Sequence, residues 1–101
     1  NNRSLMSRDG VLLTRDGSEL ICYPSGREKK RYAIPSTVKV VRKGAFVDCA
    51  HLVSVSVPEE VEVVDDWNFF ACRRLKAVFM NTDGRAKLGR NVPLKVLRNA
   101  H

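Results

Sequence analysis

The amino-acid sequence predicts a mainly β solenoid with short helical turns, and three observations carry that prediction. The stretch from Ile34 to Met80 contains two tandem copies of one sequence unit, at an offset of 23 residues. Each copy contains a run in which apolar and polar residues alternate, as in a half-buried strand. A Pro, a Phe and a Cys recur at the same places in both copies. Repeats of this kind stack as coils around one shared core.

Eight residues are identical between the two copies. In the first copy they are Pro35, Val38, Val40, Val41, Phe46, Cys49, Leu52 and Val55, and each recurs 23 positions later. Roughly one or two matches would arise by chance, and a period of about 20 to 29 residues is typical of leucine-rich repeats. We therefore predict a leucine-rich-repeat solenoid.

The 101 residues form one domain with three regions. Residues 34–80 hold the two 23-residue repeats. Residues 1–33 are expected to form an N-terminal hairpin or capping region, because solenoids need covered ends. Residues 81–101 are expected to form a degenerate repeat or a C-terminal cap. The whole chain is also consistent with a fragment of a longer array.

After Met80 the repeat pattern decays. The offset predicts a Cys and a Leu at positions where the chain has Lys95 and Arg98. A one-residue insertion in the preceding turn would nevertheless align Leu88 with Val41.

The N-terminal region predicts a β-hairpin. Residues 11–14 and 19–23 are its two strands, and Asp16-Gly17 between them suits the positive φ angles of a tight turn. An isolated hairpin is marginally stable in water, so we expect this one to pack on the end of the solenoid.

Each repeat has its own internal order. Residues 38–41 are rich in valine and suit a short strand. Residues 43–47 are expected to form a short helical turn that directs Phe46 into the interior. The alternation of Ser and Val over residues 54–57 predicts a strand with one face in the core. In the second copy, Trp67 either packs over the turn or anchors a partner.

Opposite charges fall at matching positions of the two copies, which predicts ion pairs between stacked coils. Each such exposed pair contributes about 0–1 kcal/mol to stability. The predicted pairs are Lys39 with Glu62, Arg42 with Asp65, and Lys43 with Asp66.

The composition, 44% apolar and 29% charged, fits a soluble globular domain. The net charge of +7 leaves polyanion binding, to a glycosaminoglycan or nucleic acid, as the alternative function. A locally acidic second repeat disfavours nucleic acid as a partner. No apolar run approaches the roughly 18 residues of a membrane span, so no membrane insertion is expected. The chain begins without Met, and we expect a processed product or an excised piece.

Nothing in the sequence predicts catalysis, a metal site or a cofactor. Cys49 and Cys72 share one repeat position inside an apolar pattern, which favours a ladder of buried, reduced thiols over a disulfide. No closely spaced pair of metal ligands occurs. His51 and His101 have no nucleophile at a suggestive spacing, so we predict no enzyme.

The motifs resemble those of the BspA-like leucine-rich repeats. Residues 57–64, Val-Pro-x-x-Val-x-Val-Val, resemble that family's Ile-Pro-x-x-Val-x-x-Ile. Residues 45–52 resemble its Ala-Phe-x-x-Cys-x-x-Leu, and residues 9–24 resemble a hairpin that such proteins insert between repeats. Asn68 stands where the family usually has Ala.

The resemblance implies a protein-interaction or adhesion module, secreted or on the cell surface, with the periplasm as an alternative. It implies a protein partner, such as a host or extracellular-matrix protein, and no catalytic residues or cofactor. A homodimer through an open solenoid end is a further alternative. We expect the partner to bind two columns of exposed side chains on the concave sheet. They are Arg31, Ser54 and Ala77 in one column, and Ala33, Ser56 and Phe79 in the other.

Overall fold

The fold is a β-solenoid of about three coils, seen in a computed structural model that describes residues 5–8, 10–26, 28–81 and 86–99. Strands of two or more residues alternate with turns, and from β3 onward successive strands belong alternately to two sheets. The strands are β1 (Leu5–Arg8), β2 (Val11–Thr14), β3 (Glu19–Cys22), β4 (Arg31–Ala33), β5 (Val40–Val41), β6 (Ser54–Val57), β7 (Val63–Val64), β8 (Ala77–Met80), β9 (Lys87–Leu88) and β10 (Leu97–Asn99).

The two sheets run along opposite sides of the solenoid. One has the order β10-β8-β6-β4 with parallel pairing throughout. The other has the order β1-β2-β3-β5-β7-β9, in which the pairs from β3 onward are parallel and the first two pairs are antiparallel. Each coil therefore adds one strand to each sheet.

The register of the parallel strands confirms the predicted repeat. Val55 lies beside Val78, and Val40 beside Val63, both at the offset of 23 residues. The rings of Phe46 and Phe69 stack with centroids 5.1 Å apart, and both side chains are buried. Burial of one such ring contributes about 1.5–3 kcal/mol. Side chains at equivalent positions of successive repeats thus form columns through the core, which confirms the predicted leucine-rich-repeat solenoid.

The alternation of Ser and Val over β6 divides that strand between core and surface. Val55 and Val57 are buried, whereas Ser54 and Ser56 are partly exposed. The same alternation holds in β8, where Val78 is buried. Side chains of successive strand residues point to opposite faces, so every second residue of these strands lies on the outward face of the sheet.

The predicted helical turn over residues 43–47 is wrong. These residues form non-helical turns, and the helical segment in the described part of the chain is a 3-10 turn at Leu94–Val96. The reason is the backbone: Gly44 has a φ of 66° and Asp48 a φ of 57°. A right-handed helix cannot continue through residues with left-handed angles.

The N-terminal hairpin has one strand more than the sequence analysis predicted. The expected pair is present as β2 and β3, and β3 joins the solenoid by parallel pairing with β5. The unpredicted β1 pairs with β2 in antiparallel fashion. Gly10 lies in the turn between them with a φ of 84°, as Gly17 does in the next turn with 76°.

The third coil is shorter than the second. Val64 lies beside Leu88, as the one-residue insertion predicts, but Val78 lies beside Leu97. From Val64 to Val78 is 14 residues, whereas from Leu88 to Leu97 is nine. The third coil therefore omits five residues between its two strands. The turn of the second coil that precedes β8 has no full counterpart stacked upon it.

Asn68 is a buried polar side chain that joins neighbouring turns. Its Oδ1 accepts a hydrogen bond from the Phe46 amide at 2.9 Å. Its Nδ2 donates to the carbonyls of Arg42 at 2.9 Å and Asp65 at 3.0 Å. Buried polar groups require such partners, so the Asn that replaces Ala45 of the first copy is fully engaged.

Candidate interaction surfaces

The outward face of the four-stranded sheet brings together the six residues predicted to contact a partner. We call this surface the sheet face. Strand pairing aligns Arg31 with Ser54 and Ala77, and Ala33 with Ser56 and Phe79. Arg31, Ala33 and Phe79 are exposed, whereas the other three are partly exposed. The two predicted columns are therefore in register and accessible.

Phe79 keeps 41% of its surface exposed although β10 lies beside its strand. In β10 the residue beside Phe79 is Arg98, which the sequence analysis did not place on this surface. The strict 23-residue offset pairs Phe79 with residue 102, beyond the last residue. The shortened third coil instead brings Arg98 into the column. Arg98 Nη1 donates to the carbonyls of Lys95 at 2.6 Å and Leu97 at 3.0 Å.

The sheet face has a basic edge. Lys30 and Lys76 are exposed where β4 and β8 begin, and their backbones are linked to the intervening coil. Arg31 lies in the first strand of the sheet and Arg98 in the last. Ser54, Ser56 and Ala77 are small side chains on the two central strands, beside Phe79, and cations lie in the two edge strands and where β4 and β8 begin. This arrangement suits a partner that carries acidic groups.

A second exposed patch is aromatic. Trp67 and Phe70 are 39% and 43% exposed, and their rings meet edge-to-face with centroids 4.9 Å apart. Trp67 therefore packs on the turn, as one of its two predicted roles requires, while much of its surface stays open. Its backbone is left-handed, with a φ of 67°, and so are those of its counterparts in the other coils, Gly44 at 66° and Asn91 at 60°.

The charge pairs predicted between coils do not form as ion pairs. Backbone hydrogen bonds do place the matched positions side by side, as in Glu62 N–H to the Lys39 carbonyl at 2.7 Å. Among the described residues, however, the ion pair that the structure contains joins Arg42 to Glu19. Arg42 therefore pairs with the preceding coil, whereas the Asp65 carboxylate accepts a hydrogen bond from the Asp66 amide.

The cysteines do not all fit the predicted buried ladder. All three thiols are free; Cys49 is buried, Cys72 is partly exposed and Cys22 is exposed. A hydrogen bond with Cys72, together with burial, raises the pKa of Cys49 above its usual value. The same bond lowers the pKa of Cys72. Cys72 is therefore the more reactive member of the pair, since the thiolate is the nucleophile.

Within the described residues, no group of His, Cys, Asp and Glu side chains is arranged to hold a metal ion. The same part of the chain has no helix long and apolar enough to cross a membrane.

Comparison with known proteins places this fold among leucine-rich-repeat structures. No protein-family model and no curated protein matches the sequence. The crystal structure of the pneumococcal vaccine antigen PcpA is 28% identical with a TM-score of 0.76, and covers 80% of this chain. A leucine-rich repeat protein from Eubacterium ventriosum, 20% identical with a TM-score of 0.58, covers 87% of it.

The chain spans 20% of the length of the first protein and 29% of the second. The similarity to the second protein shows a common fold, and the similarity to PcpA is higher in both sequence and structure. Together with the observed register, these comparisons identify the architecture as that of a leucine-rich-repeat protein.

Proposed function

We propose that this chain is a protein-interaction or adhesion module that binds a macromolecular partner on the sheet face. The observation that carries the proposal is the in-register alignment of Arg31, Ser54 and Ala77 beside Ala33, Ser56 and Phe79. Side chains aligned across parallel strands form a continuous repeated surface, which suits a macromolecular partner. Solenoids use such surfaces for recognition.

Side-chain chemistry supports this role for the sheet face. Ser56 and Ala77 are small, so a partner can approach the strands closely. Phe79 is an exposed aromatic residue, a type enriched in protein interfaces. The guanidinium groups of Arg31 and Arg98 can form hydrogen-bonded ion pairs with carboxylates around the contact.

The similar proteins support the same class of function. One is a vaccine antigen and the other a leucine-rich repeat protein. By analogy, we propose that this chain is secreted or displayed on a cell surface, and that its partner is a host or extracellular-matrix protein. The BspA-like assignment belongs to the same proposal.

Direct binding to an immobilised panel of host-surface and matrix proteins tests the proposal. Phe79→Ala and Ser56→Arg should each weaken a detected interaction by about 2 kcal/mol, or roughly thirtyfold in Kd, without changing the circular dichroism spectrum. Glu62→Ala, at an exposed site away from the sheet face, is the matched control. Binding that survives both sheet-face variants would contradict the proposal.

The polyanion alternative predicts a different result. Binding to heparin or nucleic acid should weaken steeply between about 50 and 200 mM salt, because counterions are released. A partner contacted through Phe79 and Ser56 should show a smaller salt dependence.

A further inference from the structure

The shortened third coil leaves an open groove on the second coil, away from the sheet face. Phe70 and Leu75, from the turn before β8, form one side of it. Pro93 and Val96, from the third coil, form the other side. The groove has a volume of about 340 Å³, at the small end of the range for ligand pockets. It is large enough for one or two side chains of a partner.

Two cations border this groove. Arg73 comes from the second coil and Lys95 from the third, and both are exposed. Neither forms an ion pair with any residue in the described ranges. Asp48 lies on the first-coil side, where its amide donates to the Phe70 carbonyl at 2.9 Å, and it does not line the groove. The groove thus combines apolar walls with a positive rim.

The aromatic pair extends the groove. Phe70 lines it, and Trp67 packs edge-to-face on Phe70. Trp67, Phe69 and Ala71 have φ angles of 67°, 65° and 60°. Left-handed backbone is unfavourable for a bulky residue, and the other two coils have Gly44 and Asn91 at the position of Trp67, residue types that adopt it more readily. The coil therefore does not itself require a tryptophan there.

We propose that this groove, with Trp67 beside it, binds an acidic segment of a partner protein that carries an apolar side chain between carboxylates. The apolar side chain would enter the space between Phe70, Leu75 and Val96. The flanking carboxylates would pair with Arg73 and Lys95, and Trp67 would cover the bound segment. Tryptophan and arginine are the residue types most often responsible for affinity in interfaces.

The apolar walls favour a peptide over a polysaccharide or nucleic acid. A polyanion without apolar groups gains nothing from contact with Leu75 and Val96. None of the residues that line this groove is among those assigned to the sheet face, so the proposal does not rest on the function proposed above.

Selection of a random peptide display library on the immobilised chain tests the assignment. The enriched peptides should carry an aliphatic or aromatic residue flanked by Asp or Glu. A synthetic copy of an enriched peptide should bind at least about tenfold more weakly to Arg73→Glu/Lys95→Glu. It should also bind more weakly to Trp67→Gly, which removes the indole and restores the residue of the first coil.

The matched control is Arg15→Glu/Lys87→Glu, which changes net charge equally at two exposed positions outside both the groove and the sheet face. Equal loss in both double variants would mean non-specific attraction to a basic protein and would overturn the proposal. Enriched peptides without acidic residues would overturn it as well. If no peptide is enriched but a heparin oligosaccharide binds this groove, the proposal is wrong. It is also wrong if no peptide is enriched and the chain self-associates in a way that Arg73→Glu/Lys95→Glu abolishes.

Discussion

Replacement of Asn68 by alanine should be among the most destabilising polar substitutions in this chain. The side chain is fully buried and hydrogen-bonds to four backbone groups of two adjacent coils. Asn68→Ala removes the acceptor for the Phe46 N–H, for which the structure shows no other partner among the described residues. The carbonyl of Arg42 keeps a second bond, from the Ala45 amide at 3.0 Å.

The magnitude follows from these contacts. A buried donor without a partner costs about 1–3 kcal/mol, and each further hydrogen bond lost costs about 0.5–1.5 kcal/mol. The orphaned Phe46 amide and the bond lost at the Asp65 carbonyl therefore sum to about 1.5–4.5 kcal/mol. Domains of this size are stable by about 5–15 kcal/mol, so Asn68→Ala should lose a large part of that stability.

Urea unfolding followed by far-ultraviolet circular dichroism measures the effect. Asn81→Ala is the matched control, because its Nδ2 bonds the Val57 carbonyl at 3.2 Å while that carbonyl keeps the Asn81 amide at 2.9 Å. The control should lose no more than about 1 kcal/mol. An Asn68→Ala variant as stable as the control would refute the assigned role of Asn68.

Three further substitutions or modifications test other parts of the structure. In the native protein, a thiol reagent should modify Cys72 faster than Cys49, since Cys72 is more exposed and has the lowered pKa; mass spectrometry showing the reverse order would contradict this. Gly89→Ala should cost about 1–3 kcal/mol in urea unfolding, because a Cβ there would overlap the backbone nitrogen of Asp66; a neutral result would contradict that approach. Trp67→Gly should cost less than the loss of about 3–5 kcal/mol that is typical of removing a fully buried Trp, because the side chain is partly exposed and backbone strain of about 1–2 kcal/mol is relieved; a loss as large as that of a fully buried Trp would contradict the strain.

The repeat could be predicted from sequence because a solenoid places identical environments at a fixed spacing. Val55 and Val78 occupy one column, and Phe46 and Phe69 another, so selection for the same shape leaves the same residue. The hairpin of β2 and β3 could also be predicted, because Asp16-Gly17 favours a tight turn between them. A second Asp-Gly pair, at positions 9–10, is the sequence signal for the turn that precedes β2.

The remaining features depend on information that periodicity does not contain. Arg98 joins the sheet face because the third coil omits five residues, and a fixed offset cannot register a deletion. Arg42 pairs with Glu19, 23 residues before it, rather than with Asp65, 23 residues after it, and a fixed offset allows both partners without choosing between them. Asn68 looked like a departure from a motif, and its hydrogen bonds become visible only when the turns are stacked.

The stacking of the coils is tested most directly by nuclear Overhauser spectroscopy on isotope-labelled protein. The stacking predicts cross-peaks between the methyl groups of Val55 and Val78, which lie in register on β6 and β8. It also predicts cross-peaks between the rings of Phe46 and Phe69, whose centroids are 5.1 Å apart. Well-resolved signals from all four side chains with neither set of cross-peaks would contradict the fold and both surfaces built on it.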